Sequence, residues 1–222
     1  MNSFEEDQIL YEDNHLIAVN KRAGQLVQGD KTGDACLAEQ IKAFLKLKYN
    51  KPGNVFCGVI HRLDRPTSGV VLFAKTSKAL ERMNAQFRDK LPKKTYVGLV
   101  QGEIKEARRL INDLKKNEQK NKSFVVEPGK GKQAILHFTP IKKYDSFTLI
   151  EITLETGRHH QIRCQLAHID HALRGDLKYG AKRSNEDGSI CLHAKHLSFR
   201  HPISQEALKI EAPIPKTKSW IQ

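Results

Sequence analysis

Strand-like segments outnumber helix-like segments in this chain of 222 residues, and neighbouring strands often follow one another without a helix between them. The predicted strands are residues 15–20, 70–74, 95–101, 134–139, 146–156 and 192–199. Parallel strands need a long crossover connection, usually a helix, whereas antiparallel strands can be joined by short turns. The order of elements therefore predicts an α+β fold with a mixed, mainly antiparallel sheet and flanking helices.

Three segments carry apolar residues at helical spacing. Asp34 is predicted to cap the first helix and Ser77 the second, because both residue types suit a helix start. The third helix is predicted from His159 to Ile169, after a break at Gly157. The chain shows no internal repeat and no clear boundary, so we expect a single domain over residues 1–222.

The net charge of +13 and the pI of about 9.6 favour a polyanionic partner, most often nucleic acid. The first 20 residues hold five acids and no Lys or Arg, which leaves +18 on the rest of the chain. We interpret residues 1–10 as an acidic N-terminal extension. Residues 105–132 hold nine Lys or Arg against four acids, which predicts a basic excursion or long hairpin. It either contacts RNA or is a solvated charged segment.

Composition also argues against a membrane protein or a disulfide-rich secreted protein. No run approaches the ~20 apolar residues of a membrane helix, and the acidic N-terminus is unlike a signal peptide. The four cysteines are far apart and form no CxxC pair, so we expect buried free thiols. We expect a cytoplasmic protein with no membrane partner.

The most unusual polar cluster is in VIHRLDRPTSGVVLFAK, residues 59–75, where Asp64 lies between Arg62 and Arg65. Loop aspartates are commonly turn formers, and Pro66 and Gly69 favour a turn here. A turn does not explain the two arginines. A carboxylate near guanidinium groups stays ionised, and a positioned, ionised carboxylate can attack an electrophilic sugar carbon. Asp64 is therefore a candidate nucleophile.

A second cluster is TGRHHQIRCQLAHIDH, residues 156–171, in which a helix is predicted to begin after Gly157. Amides at that helix start could meet a phosphate, and Arg158 lies beside them. His160 and Arg163 are three residues apart and share a helix face.

Two histidine pairs with HxxH spacing leave a metal-dependent hydrolase as an alternative hypothesis. The pairs are His168 with His171 and His193 with His196. Because HxxH alone is a weak signal and lacks a third ligand, we expect no metal site.

Taken in chain order, six motifs resemble those of the RluA-type pseudouridine synthases. They are YEDNHLIAVNKRAG (11–24), HRLDRPTSG (61–69), KTYVGLVQG (94–102), TGRHHQIRCQL (156–166), GDLKYG (175–180) and LHAKHLSFRHP (192–202). Arg22 departs from the family pattern, which usually has proline there. The resemblance implies a pseudouridine synthase fold with a central basic cleft and no metal or redox cofactor.

The resemblance also implies a role for individual residues. Asp64 matches the family's nucleophilic aspartate, and Arg163 matches the basic residue paired with it. Tyr96 matches the tyrosine that packs against the target uracil. Arg62 matches the arginine that enters the space left by the flipped base. The remaining candidate RNA contacts are Arg65, Arg158 and His160.

The chemistry of uridine isomerisation fits a single carboxylate. Glycoside hydrolysis uses two, one of which protonates the leaving group, but uracil leaves as a delocalised anion and returns through its own C5. The sequence leaves open whether Asp64 attacks C1′ or abstracts a sugar proton to give a glycal. The target base must leave its stack at a cost of a few kcal/mol, which an aromatic face and an arginine offset.

The expected partner is RNA, either tRNA or 23S-type ribosomal RNA, bound by a monomer. Only about ten residues precede the first motif, so we expect no N-terminal S4-type RNA-binding domain. HRLDRPTSGV is similar to the tRNA-modifying branch of the family. The alternative hypothesis is a non-catalytic RNA-binding or ribosome-assembly factor on the same fold.

Overall fold

The computed structural model describes residues 4–29 and 33–220. The first three residues of the predicted acidic extension lie outside the described residues. Within them the elements are β1 (Ile9–Glu12), β2 (Leu16–Lys21), α1 (Leu37–Lys48), β3 (Gly58–Val59), β4 (Ser68–Ala74), α2 (Ser77–Arg88), β5 (Lys93–Gln101), β6 (Arg108–Asn117), β7 (Lys122–Val126), β8 (Lys132–Lys143), β9 (Phe147–Leu154), α3 (Gln161–His168), β10 (Leu192–Arg200) and β11 (Ala207–Glu211). Short 3₁₀ turns cover Glu6–Gln8 and Leu177–Tyr179.

The chain divides into two compact units, each of which is described separately. The first unit contains Met1–Pro92 and Lys195–Ile214, and the second contains Lys93–Ala194 and Pro215–Gln222. The division falls within β10. A single catalytic domain over the whole chain stays a prediction.

In the first unit, β2 pairs antiparallel with β1 and β4, and β10 pairs antiparallel with β11. Every residue of β4 is buried, so both of its faces carry a core. Successive strand residues point to opposite faces. One face packs against Ala79 and Met83 of α2, through Leu16, Ala18, Val70 and Leu72. The other packs against Leu37, Ile41 and Leu45 of α1, through Ile17, Val19, Val71 and Phe73.

In the second unit, five strands pair antiparallel in the order β5, β9, β8, β6, β7. The basic segment 105–132 contains β6 and β7 and the turn between them, so the expectation of a long hairpin is confirmed. Helix α3 packs against β6 and β7. An isolated parallel bridge joins Leu26 to Cys36 in the first unit. Together these pairings confirm the predicted mixed, mainly antiparallel α+β fold.

Both predicted helix caps were wrong by one or two residues. Cys36, not Asp34, precedes α1, because the bridge to Leu26 keeps the chain extended as far as Cys36. Thr76, not Ser77, caps α2, and its hydroxyl accepts the Ala79 N–H at 3.2 Å. Among residues 4–29 and 33–220, no helix has the length and apolar character needed to cross a bilayer.

Candidate active site

Asp64 lies in the loop between β3 and β4, where it is half-buried. The Thr67 N–H donates to the Asp64 carbonyl oxygen at 3.0 Å and closes the turn that sequence reasoning placed here. The loop therefore presents the Asp64 side chain from a hydrogen-bonded turn.

Lys21, the last residue of β2, holds this loop through hydrogen bonds to its backbone. Its side chain is fully buried. The ammonium group donates to the carbonyl oxygens of Arg22 at 3.1 Å, Arg65 at 3.0 Å and Thr67 at 2.6 Å. Two of these acceptors, Arg65 and Thr67, follow Asp64 in sequence, so Lys21 holds the backbone on the C-terminal side of the candidate nucleophile.

Burial lowers the pKa of Lys21 to about 7, the Asp64 carboxylate raises it, and the Arg65 guanidinium lowers it further. Sequence reasoning missed Lys21. The available signal was a lysine at the end of a strand, LIAVNK, whose first four residues are apolar. A lysine at such a position needs polar partners, because a buried charge without them is costly.

The two arginines beside Asp64 are both exposed. Arg65 is tied to the protein, since its Nε donates to the Gly24 carbonyl at 3.1 Å and it pairs with Asp34 at 2.9 Å. The Gly24 N–H donates back to the Arg65 carbonyl at 2.8 Å. These bonds connect the Asp64 loop to the turn after β2. RNA contacts by Arg62 and Arg65 stay predictions.

His61 anchors the start of the same loop. Its Nε2 accepts the Leu72 N–H at 3.1 Å, and its ring stacks on Phe87 of α2 with centroids 5.1 Å apart. The first residue of the HRLD motif thus has a structural role that its position beside a candidate nucleophile did not reveal.

In the second unit, Arg163 of α3 forms a buried two-point ion pair with Asp176. Arg163 Nε lies 2.7 Å from Asp176 Oδ2, and a second guanidinium nitrogen lies 2.8 Å from Oδ1. The two side chains are only 5% and 1% exposed. Paired, two-point geometry is what makes a buried guanidinium tolerable. Asp176 lies in GDLKYG, to which sequence reasoning gave no role. Pairing of Arg163 with the nucleophilic aspartate stays a prediction.

Tyr179 completes this buried cluster. Its ring centroid lies 5.0 Å from Arg163 Cζ, its hydroxyl accepts the Ser123 N–H at 2.9 Å, and it lies 3.0 Å from His160 Nδ1. Burial, helped by the charge of Arg163, lowers the pKa of His160 to about 2, so its ring is neutral. Burial raises the pKa of Tyr179. The hydroxyl therefore accepts from Ser123 and shares a hydrogen bond with the neutral His160 ring.

The other predicted site residues of the second unit differ in exposure. Tyr96 lies on β5 opposite Ile152 and is 8% exposed. Arg158 is exposed, and its Nε donates to the Gln133 carbonyl at 2.9 Å. The Arg158 backbone N–H donates to Gln161 Oε1 at 2.9 Å. His160 is buried and neutral, so as an RNA contact it could offer hydrogen bonds but no charge.

Three of the four histidines in the two HxxH pairs contact a backbone carbonyl, a glutamate or a tryptophan. His171 Nδ1 lies 2.7 Å from the Gln101 carbonyl, and His196 Nε2 lies 3.1 Å from a Glu211 oxygen. His193 is buried and meets Trp220 edge-on. Across the described ranges, no group of three or more His, Cys, Asp or Glu could hold a metal ion.

Comparison with known proteins identifies the family. A family model described as RNA pseudouridylate synthase matches residues 15–168, which include Asp64, Tyr96 and Arg163. This chain belongs to the RNA pseudouridylate synthase family. The membership predicted from the six motifs is thereby confirmed, whereas Asp176 and Tyr179 lie beyond the matched segment.

Relatives of this RNA pseudouridylate synthase family member align over nearly the whole chain. Ribosomal large subunit pseudouridine synthase C of Buchnera aphidicola is 37% identical over 93% of this chain and 66% of its own length. The protein of that name from Vibrio vulnificus is 36% identical, with 94% and 66% covered. RNA pseudouridine synthase YlyB of Bacillus subtilis is 34% identical, with 94% and 69% covered. The chain thus spans slightly less than two thirds of the first two relatives.

Two human structures share the fold. Human RNA Pseudouridylate Synthase Domain Containing 4 superimposes with a TM-score of 0.78 at 20% identity, covering 95% of this chain and 89% of that one. Domain Containing 1 gives 0.74 at 23% identity, with 96% and 85% covered. These likenesses support the predicted pseudouridine synthase fold.

Proposed function

We propose that this chain isomerises uridine to pseudouridine in RNA, with Asp64 as the reacting carboxylate. The observation that carries the proposal is the Asp64 loop itself, which the buried Lys21 ammonium holds through two of the loop's carbonyl oxygens. The loop lies inside the segment that the family model matches. A carboxylate on a backbone that is held in place loses less freedom when substrate arrives, and such positioning lowers the barrier of the chemical step.

Each further site residue has a proposed role toward the flipped nucleotide. Tyr96 packs against the uracil, Arg163 is the basic residue paired with Asp64, and Arg62 fills the space that the base leaves. The remaining contacts to RNA come from Arg65, Arg158 and His160. Asp64 either attacks C1′ or removes a sugar proton, and the uracil then rejoins through C5. The reaction needs no metal or redox cofactor.

The proposed substrate is ribosomal RNA of the large subunit. The names of the Buchnera and Vibrio relatives support this class over tRNA, and the net charge of +13 suits any RNA. We place the enzyme in the cytoplasm as a monomer. The four buried, free cysteines support a reducing compartment.

Tritium release tests the assignment of Asp64. Large-subunit ribosomal RNA and a tRNA pool are transcribed with uridine that carries tritium at C5, because isomerisation joins C5 to C1′ and releases the C5 hydrogen to water. Wild type is expected to release label from the ribosomal RNA, and Asp64→Asn to release none while it still binds the RNA. Asp89→Asn, which changes an exposed aspartate after α2, is the matched control and is expected to keep full activity.

Full tritium release by Asp64→Asn contradicts the role of this residue. Release from the tRNA pool alone contradicts the proposed RNA class but not the reaction. If wild type binds RNA yet releases no label from either RNA, the non-catalytic RNA-binding factor is correct instead.

A further inference from the structure

Phe124 on the basic hairpin is an exposed aromatic ring among lysines. Its side chain is 39% exposed, although it lies in the middle of β7. Lys115 is its Cα partner on β6, and Lys122 Nζ lies 5.4 Å from the ring centroid. Single exposed apolar residues are common and need no explanation. Phe124 differs from such isolated residues because lysines lie on two sides of its ring.

The strand register explains why these groups share one face. Residues two apart on a strand point to the same side, and directly paired residues across an antiparallel ladder do so as well. Lys122 and Phe124 are therefore on the same face as Lys115 and Asn117 of β6. The Phe124 ring therefore has one cation across the ladder, Lys115, and another along its own strand, Lys122.

The tip of the hairpin has an excess of positive charge. The cations are Lys115, Lys116, Lys120, Lys122 and Lys178, whose Nζ donates to the Asn121 carbonyl at 3.2 Å. The acid within the turn, Glu118, pairs with Lys116 at 2.6 Å. The charge around Phe124 therefore favours an anionic ligand.

Open space adjoins Phe124 in two places. It lines a depression of about 180 Å³ together with Lys115, Lys116 and Asn117. It also lines one of about 290 Å³ that extends to Ala167 and His168 at the end of α3. A flat group thus has room beside the ring and reaches lysines from either depression.

The neighbour of Phe124 holds the hairpin in place. Ser123 is buried, its N–H donates to the Tyr179 hydroxyl at 2.9 Å, and its hydroxyl donates to the His159 carbonyl at 2.7 Å. The Cys164 thiol donates to the Ser123 carbonyl at 3.2 Å. A ring on a fixed backbone loses less freedom on binding than one on a mobile loop.

We propose that Phe124 is a stacking platform for an unpaired base of the RNA substrate, with Lys115 and Lys122 on the flanking phosphates. The inference rests on the proposed function for the identity of the ligand as RNA. Aromatic rings stack on bases of any sequence, and lysines along the same groove neutralise the backbone. The surface therefore binds single-stranded RNA without reading its sequence.

The test separates stacking from charge by the salt dependence of binding. The probe is a fluorescein-labelled single-stranded oligouridylate of about 12 nucleotides, titrated by fluorescence anisotropy at several salt concentrations. Phe124→Leu is expected to weaken binding about 5- to 100-fold at every salt concentration, with an unchanged slope of log K against log salt. Lys115→Gln and Lys122→Gln each lower that slope by about 0.7.

Two controls make the result specific. Phe124→Trp keeps an aromatic face and is expected to bind like wild type. Phe56→Leu makes the same change at another ring of similar exposure, 42%, and is expected to have no effect. Thermal melts of the Phe124 and Phe56 variants should agree with wild type, because both rings are exposed.

Equal affinity of Phe124→Leu and wild type, an equal loss in Phe56→Leu, or no binding of the probe by wild type each overturns the proposal. The outcome is separate from that of the proposed function. If tritium release depends on Asp64 and neither release nor binding depends on Phe124, only the stacking role of Phe124 is refuted. If binding depends on Phe124 and no tritium is released, only the proposed isomerase activity is refuted.

Discussion

Replacing Asp176 by asparagine removes the charge from one member of a buried ion pair and keeps its shape. Arg163 and Asp176 are 5% and 1% exposed, and their atoms meet at 2.7 and 2.8 Å. Taking away one charge leaves the buried guanidinium with weaker compensation for its lost hydration. The variant should therefore be substantially less stable than wild type.

The expected loss is about 3 kcal/mol, at the lower end of the range for breaking buried pairs, because asparagine still offers one oxygen acceptor. For a chain of this size such a loss lowers the melting temperature by about 6 to 12 °C. Glu155→Gln is the matched control. Arg109 and Glu155 also meet at two points, 3.1 and 3.3 Å, but their side chains are 46% and 43% exposed. Water screens that pair, so its loss should be much smaller.

Urea unfolding at neutral pH measures both losses. Trp220, the one tryptophan of the chain, is buried in the same unit as the Arg163–Asp176 pair and reports its unfolding by fluorescence. Linear extrapolation gives the free energy of each variant. If Asp176→Asn costs no more than Glu155→Gln, burial does not set the strength of this pair and the reasoning fails.

Two further predictions concern buried groups of the two units. Burial lowers the pKa of Lys21 to about 7, so between that pH and about 10 the unfolded state binds more protons, and stability rises with pH. The free energy of urea unfolding of wild type, here followed by far-ultraviolet circular dichroism because Trp220 lies in the other unit, should rise by about 2 kcal/mol between pH 7 and pH 9 through this group. Lys21→Met should lack that rise, and an equal rise in the variant refutes the assignment. Tyr179→Phe removes the partner of the Ser123 N–H and should cost about 1 to 3 kcal/mol in the same assay. Tyr49→Phe, at an exposed ring, is its control and should cost far less.

The sequence predicted the elements whose pattern is local. The unbroken apolar run of β4 indicates a strand buried on both faces, and it is buried at every position. The composition of residues 105–132 allowed a long hairpin, which the structure contains. Short strands such as β3 and β11 were not predicted, because a segment of two to five residues shows little periodicity.

Contacts between distant segments could not be predicted in the same way. Lys21 can be buried because the carbonyl oxygens of residues 65 and 67 accept its hydrogen bonds. The sequence around Lys21 does not predict these contacts with a distant segment. Asp176 reaches Arg163 through the turn that follows α3. The cap at Asp34 failed because the bridge between Leu26 and Cys36 keeps the chain extended beyond it. The cap at Ser77 failed because the preceding Thr76 is about equally suitable by type.

The most direct measurement of the central claim is the nucleoside composition of the RNA product. Large-subunit ribosomal RNA transcribed without modification is incubated with wild type or Asp64→Asn, digested to nucleosides and separated by liquid chromatography, which resolves pseudouridine from uridine of equal mass. Pseudouridine that appears with wild type and is missing with Asp64→Asn is the predicted result. Equal amounts of pseudouridine with both proteins would contradict the account.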